Sequence, residues 1–167
     1  MIRELWKKLW EKIGRGSGQS EKNGRLRVSE SLKLLQESYR DLCRLANQIE
    51  AHAQRAPYPY VADCLRKMAQ EKHHTATALK ERILSKGGDF KDSELELKSG
   101  KNHWERMVRD LEDQRALETT LLERAFRLAE EFPDISDLLK NIALAQASHK
   151  ETLINLLARS DPQAHQS

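Results

Sequence analysis

Four long segments with apolar residues at helical spacing constrain the fold of this chain more than any other feature. The segments are residues 28–55, 60–86, 103–132 and 134–160. Residues that end helices separate them, among them Pro57, Gly87 and Pro133. Apolar residues three and four positions apart share one face of a helix, so each segment has one face to bury. The sequence therefore predicts an all-α chain whose four apolar faces form a single core.

The lengths of the connections select the topology of these helices. Only a few residues join the first helix to the second and the third to the fourth, which predicts two antiparallel hairpins. The connection between the hairpins, residues 87–102, has about 16 residues that each extend about 3.3 Å, enough to run the length of a bundle. We therefore expect a four-helix bundle with one long crossover.

The N-terminal residues form a separate pattern. Residues 1–15, "MIRELWKKLWEKIGR", predict a basic amphipathic helix, and the Gly- and Ser-rich residues 16–26 predict a flexible linker. The helix could bind an anionic membrane surface, dock on a protein partner, or fold back on its own bundle or on a neighbouring subunit. The bundle is expected over residues 27–159, and residues 160–167 are expected to form a disordered tail.

Composition excludes several classes of protein. The 167 residues carry a net charge of +3 with both signs interspersed, so nucleic-acid binding is not expected. No apolar stretch is long enough to span a membrane, and no signal peptide is recognisable. We expect a cytoplasmic protein, either free or peripheral at the inner face of the membrane. Cys43 and Cys64 are expected to be buried thiols, and His52 and His103 to lie on the surface.

An internal repeat relates the two hairpins. In each half a glutamate is followed 34 residues later by a glutamate or glutamine and 37 residues later by a histidine, and the two halves are offset by 75 residues. The two sets are Glu37, Glu71 and His74, and Glu112, Gln146 and His149. In four-helix bundles such carboxylates and carboxylate-x-x-His pairs converge on two iron or manganese ions. The repeat therefore predicts a metal site between the helices.

These motifs resemble the ferritin-like superfamily, nearest to rubrerythrins and bacterioferritins. The resemblance covers about residues 28–158, in "QESYRDL", "MAQEKHHTATALKERILSKGG" and "NIALAQASHKETL". It implies a ferritin-like bundle, a homo-oligomer, and ferrous iron oxidation, peroxide reduction or iron storage. It also implies a set of ligands for two iron ions, with manganese as an alternative metal: Glu37, Glu71, His74, Glu112 and His149, with Gln146 in place of a glutamate.

Several residues depart from the pattern of that superfamily. Gln146 carries no charge, so one anion that would balance two cations is missing. On a helical wheel Glu118 lies nearer the apolar stripe of its helix than Glu112 does and is a rival ligand, while His73 could substitute for His74. Arg115 also falls near that stripe, where an arginine could neutralise the site in place of a metal. The paired CxxC motifs of rubrerythrins are absent.

Two functions follow from the sequence. The first is a ferritin-like metal-binding protein with an intact or partly degenerate site, which would oxidise ferrous iron or reduce peroxide. The second is a non-catalytic helical bundle that acts as an interaction or membrane-surface protein through residues 1–15. Iron uptake by the purified protein distinguishes the two.

Overall fold

A computed structural model describes residues 22–90 and 95–160 of the chain. This part contains four helices and no strand: α1 (Lys22–Gln54), α2 (Pro59–Ser85), α3 (His103–Leu128) and α4 (Pro133–Ala158). The chain divides into two compact units, Met1–Glu30 and Ser31–Ser167. The prediction of four helices is confirmed.

The predicted N-terminal helix over residues 1–15 and the tail from residue 161 onward lie outside the described residues. The predicted linker, residues 16–26, is described only from Lys22, where α1 already begins. Of the helices that the structure describes, none is both long and apolar enough to cross a membrane.

Local chemistry explains where the helices begin and end. The side chain of Asn102 accepts a hydrogen bond of 2.8 Å from the backbone N–H of Glu105, and this caps the first turn of α3. Pro59 and Pro133 lie in the first turns of α2 and α4, where the missing N–H costs nothing. Gly87 has a φ of 79° and follows the last turn of α2, a conformation that favours glycine.

The apolar stripes predicted from the sequence form the core. Each helix contributes leucine and isoleucine side chains that are almost completely buried, among them Leu42, Ile49, Leu65, Leu79, Leu121, Leu139 and Leu153. Removing this apolar surface from water is the main favourable contribution to folding. Helical periodicity therefore predicts most of this core, but Leu122 and Leu138, which it also places on the inner faces of α3 and α4, are only half-buried.

Pairs of contacting side chains give the directions of the helices. Asp41 of α1 bonds to Arg124 of α3, and His52, farther along α1, bonds to Asp110, earlier in α3. The helices α1 and α3 are therefore antiparallel. Arg82, near the end of α2, bonds to Asp134 at the start of α4. Residues 71–72, earlier in α2, contact residues 146–149, later in α4, so α2 and α4 are antiparallel too.

Described residues on both sides of the middle of the crossover contact α1. At one end Gln36 donates to the backbone carbonyl of Asp89 (2.8 Å), and toward the other end Gln48 accepts from the backbone N–H of Lys98 (3.0 Å). These two anchor points are separated by about 18 Å along the helix axis. The long crossover predicted from the length of this connection is present.

Three sequence-based expectations about single residues are wrong. His52 and His103 were expected on the surface, but both are buried, because each lies on a face of its helix that packs inside the bundle. Cys64 was expected to be buried, but it is exposed, while Cys43 is half-buried. Burial raises the pKa of the Cys43 thiol, which favours its protonated, unreactive form.

Candidate functional site

A lysine lies at the middle of the bundle. Lys72 of α2 is fully buried, with 0% of its surface exposed, and it occupies the apolar stripe between Met68 and Ala76. An ammonium group is costly to remove from water unless it has partners. The structure supplies these partners from α3 and α4.

Three acceptors surround the Nζ atom of Lys72. The side-chain oxygen of Gln114 lies at 2.5 Å, the side-chain oxygen of Gln146 is also bonded, and the Nδ1 atom of His149 lies at 3.1 Å. A protonated lysine has three N–H donors and no acceptor, so these three atoms satisfy it. We name Lys72, Gln114, Gln146, His149 and Glu71 the central cluster.

His149 links the interior of the bundle to its surface. Its Nε2 atom lies 2.7 Å from the Oε2 atom of Glu71, whose side chain is 50% exposed, while His149 itself is 6% exposed. With Nδ1 accepting from Lys72, the proton of the neutral ring belongs on Nε2, which donates it to Glu71. The orientation of the imidazole is thus fixed from both sides.

The environment shifts the pKa values of the cluster. Burial lowers the pKa of Lys72 to about 7, although the carboxylates of Glu118, Asp110 and Glu71 act in the opposite direction. Burial and the charge of Lys72 lower the pKa of His149, and the hydrogen bond from His149 lowers the pKa of Glu71. The resulting combination is a neutral imidazole between a lysine and a carboxylate.

Glu118 lies beside the central cluster without contacting Lys72 directly. It accepts from the amide of Gln114 (3.2 Å) and from the ammonium of Lys150 (3.0 Å), and 14% of its side chain is exposed. Gln114 also donates to the backbone carbonyl of Gln146 at 3.1 Å. Two donors, Gln114 and Lys150, therefore hold the carboxylate of Glu118 next to the central cluster.

The structure brings together some of the predicted ligands. Glu71 and Gln146 both contact His149, and the rival ligand Glu118 lies next to them. Glu112 and His74 are exposed. In the sequence of α2, Glu71 directly precedes the buried Lys72, and His74 follows it by two positions.

Glu37 lies at a different height. Its carboxylate is 3.6 Å from Arg124 of α3, about 15 Å along that helix from Gln114. Arg115, which the sequence suggested as a cation at the centre, is exposed. The cation at the centre is Lys72, which no motif of the sequence predicted.

A second polar cluster lies next to the first, between α1 and α3. Asp110 is fully buried and accepts from Gln48 (2.9 Å), and its other oxygen is 2.8 Å from the Nδ1 atom of His52. Asp113 accepts from Gln48, Arg44 and Lys98. Burial would raise the pKa of Asp113, but these three hydrogen bonds lower it. His52 therefore has a structural partner and is not exposed.

The residues at the centre do not fit a di-metal site. No group of three or more His, Cys, Asp and Glu side chains that could hold a metal ion occurs in residues 22–90 and 95–160. The point where side chains from three helices meet is taken by the amine of Lys72, and two of its partners are neutral amides. A di-metal site needs several carboxylates around two cations.

No protein-family model and no curated protein matches this sequence. Solved structures do resemble the chain. A mycobacterial bacterioferritin has a TM-score of 0.71 and 22% identity, and BfrA from M. tuberculosis has a TM-score of 0.71 and 20% identity. In both cases the similarity covers 77% of this chain and 83% of the other.

Both similarities extend over most of this chain and most of the other. The TM-scores of 0.71 establish the fold. Because the identities are only 22% and 20%, the chemistry must be argued from the residues of this chain. The chain therefore has the ferritin-like four-helix bundle fold.

Proposed function

We propose that this chain is a non-catalytic ferritin-like bundle that acts as an interaction protein. The observation that carries the proposal is the central cluster, in which Lys72, two glutamine amides and His149 satisfy one another by hydrogen bonds. A ferroxidase or peroxidase of this fold would need open coordination positions for metal and oxygen. This cluster has a lysine where such positions would be needed.

Residues 1–15 supply the candidate interaction segment. Their basic amphipathic pattern with two tryptophans, Trp6 and Trp10, suits an anionic membrane surface or a groove on a protein. Liposome co-sedimentation tests the membrane target: the full chain should sediment with anionic vesicles more than a chain that starts at residue 16. Equal sedimentation of both would leave a protein groove as the target of this segment.

A second function is favoured by the fold and by the remaining carboxylate and histidine side chains. In this version the protein binds iron, with manganese as the alternative, and oxidises ferrous iron or reduces peroxide. Its ligands would be drawn from the set predicted by the sequence, of which Glu71, Gln146 and His149 are in contact. Homo-oligomerisation, as predicted from the sequence, is compatible with both functions.

Anaerobic titration of the purified chain with Fe²⁺, followed by metal analysis after desalting, separates the two functions. We expect no stoichiometric iron to remain bound and no oxidation faster than in buffer once oxygen is admitted. A bacterioferritin treated in the same way serves as the positive control. Retention of one or two iron ions per chain, lost on substitution of His149→Ala, would overturn the first proposal and establish the second.

A further inference from the structure

The amine of Lys72 lies where side chains of α2, α3 and α4 meet. We propose that the amine of Lys72 fills the metal position of this ferritin-like bundle and keeps it closed to metal ions. This inference rests on the proposed non-catalytic function and adds a physical cause to it. It concerns the central cluster alone, not residues 1–15.

The first argument is geometric. Lys72 reaches from α2 to acceptors on both α3 and α4, so its nitrogen lies where three helices meet. Gln114, Gln146 and His149 present oxygen or nitrogen lone pairs to that nitrogen. Amide oxygens and imidazole nitrogens are also ligands for divalent transition metals. The same donors can therefore hold either the ammonium or a metal ion, but not both.

The second argument is electrostatic. The attraction on the Lys72 charge comes from Glu118, Asp110 and Glu71, in that order. These carboxylates favour a cation at this position, although Glu118 also pairs with Lys150 and Glu71 is half-exposed. The amine of Lys72 offers such a cation from the chain itself.

The third argument concerns what remains when the amine is removed. Truncation at position 72 leaves a buried space next to the Nδ1 atom of His149, with the carboxylates of Glu71 and Glu118 nearby. Without a cation, the lone pairs of Gln114 and Gln146 also lose their donor. One divalent ion in this space would give the acceptor atoms of Gln114, Gln146 and His149 a new partner. It would also replace the positive charge that was removed.

The experiment uses Co²⁺ as the probe, because its visible absorption reports coordination by protein ligands. Full-length wild type, Lys72→Ala and Lys80→Ala are titrated, the last being an exposed lysine of the same helix. We expect Lys72→Ala to bind one Co²⁺ per chain at least about tenfold more tightly than wild type and Lys80→Ala. The double variant Lys72→Ala, His149→Ala should lose this binding.

Lys72→Glu provides an arm that does not depend on the stability of the alanine variant. A third carboxylate near Glu71 and Glu118 should destabilise the metal-free protein by like-charge repulsion. Thermal unfolding followed by circular dichroism should therefore show a higher Tm with Co²⁺ than with EDTA for Lys72→Glu, and no such difference for wild type. If Lys72→Glu folds only when Co²⁺ is present, the proposal is supported in the same way.

Two results would overturn the inference. One is tight Co²⁺ binding by wild type that disappears on substitution of His149, because the centre would then be open to metal despite Lys72. The other is the absence of Co²⁺ binding and of Co²⁺-dependent folding in both Lys72→Ala and Lys72→Glu. Metal that wild type retains and His149→Ala loses would overturn both the inference and the proposed function. Iron that both wild type and His149→Ala retain would overturn the non-catalytic function alone, with the Lys72 variants still behaving as expected.

Discussion

At the scale of single residues, the burial of His149 beside Lys72 and the hydrogen bond that Glu71 accepts from His149 make stability depend on pH. The pKa of His149 is lowered from 6.5 and that of Glu71 from 4.5. On acidification below about pH 6.5 the unfolded histidine binds a proton before the folded one does, and below about pH 4.5 the unfolded glutamate does the same. Both groups therefore stabilise the fold at higher pH and lose this contribution as pH falls.

We expect the free energy of unfolding to decrease as pH is lowered from 7 to 5, measured by urea denaturation across that range. The variant His149→Gln should show a flatter profile between pH 7 and 5. His73→Gln is the matched control, since His73 is a partly exposed histidine of α2 whose ion-pair partner is Glu50. If the stability of His149→Gln decreased as steeply between pH 7 and 5 as that of wild type, His149 would not be the source of this pH dependence.

The sequence predicted only part of the central cluster. His149 and Gln146 were correctly placed on the inner face of their helix, and the contact of His149 with Glu71 fits the idea of a common point. Lys72 was missed, although it interrupts a regular stripe of buried residues: Leu65, Met68, Ala76, Leu79 and Ile83. A lysine within such a stripe can indicate a buried charge, but lysine is so rarely buried that the residue type alone argues against this interpretation.

The repeat at an offset of 75 residues placed the motif of α2 one position away from its buried face. Glu71 and His74 satisfy the repeat, but the buried residue is Lys72. A shift of one residue rotates a side chain by about 100° around a helix. Spacing within the chain therefore identifies helices that face each other better than it identifies the atoms that meet.

At the scale of elements, the end of α2 depends on one glycine. Gly87 has a φ of 79°, and the backbone N–H groups of Gly87 and Gly88 donate to the carbonyls of Leu84 and Ile83 at 3.0 Å. These bonds satisfy the carbonyls that the last turn of a helix leaves free. The "GG" pair in the sequence predicted this stop, because glycine is common where the backbone becomes left-handed.

Substitution of Gly87→Ala should destabilise the protein by about 1–2 kcal/mol, from backbone strain alone. A Cβ atom at this position would meet no atom within 4 Å, so a steric clash does not contribute. Urea denaturation measures the loss, and Gly87→Asn should lose less because asparagine tolerates this conformation better. Equal stability of Gly87→Ala and wild type would show that the end of α2 frays without cost.

At the scale of the whole molecule, the topology was the most predictable property. Short connections define antiparallel neighbours, and a long connection is required to return the chain to the other end of the bundle before α3 begins. Which side chains hold that connection in place was not predictable, because the partners of Lys98 lie on two different helices, at Gln48 of α1 and Asp113 of α3. Such contacts depend on packing between elements that are distant in sequence.

Asp113 should control how firmly the crossover is held against the bundle. Its side chain is 7% exposed and accepts from the ammonium of Lys98 at 2.6 Å and from Arg44 at 3.2 Å. Asp113→Asn removes the negative charge from this partly buried group, and the lost charge-assisted hydrogen bonds should cost about 1–3 kcal/mol.

Residues 95–102 should then exchange their amide hydrogens faster, as measured by mass spectrometry of peptides from this segment, while the middle of α4 changes less. Asp137→Asn, at an exposed aspartate paired with Lys140, should leave the exchange of residues 95–102 unchanged. Equal exchange in both variants would mean that the backbone bond between Lys98 and Gln48 is sufficient to hold the crossover.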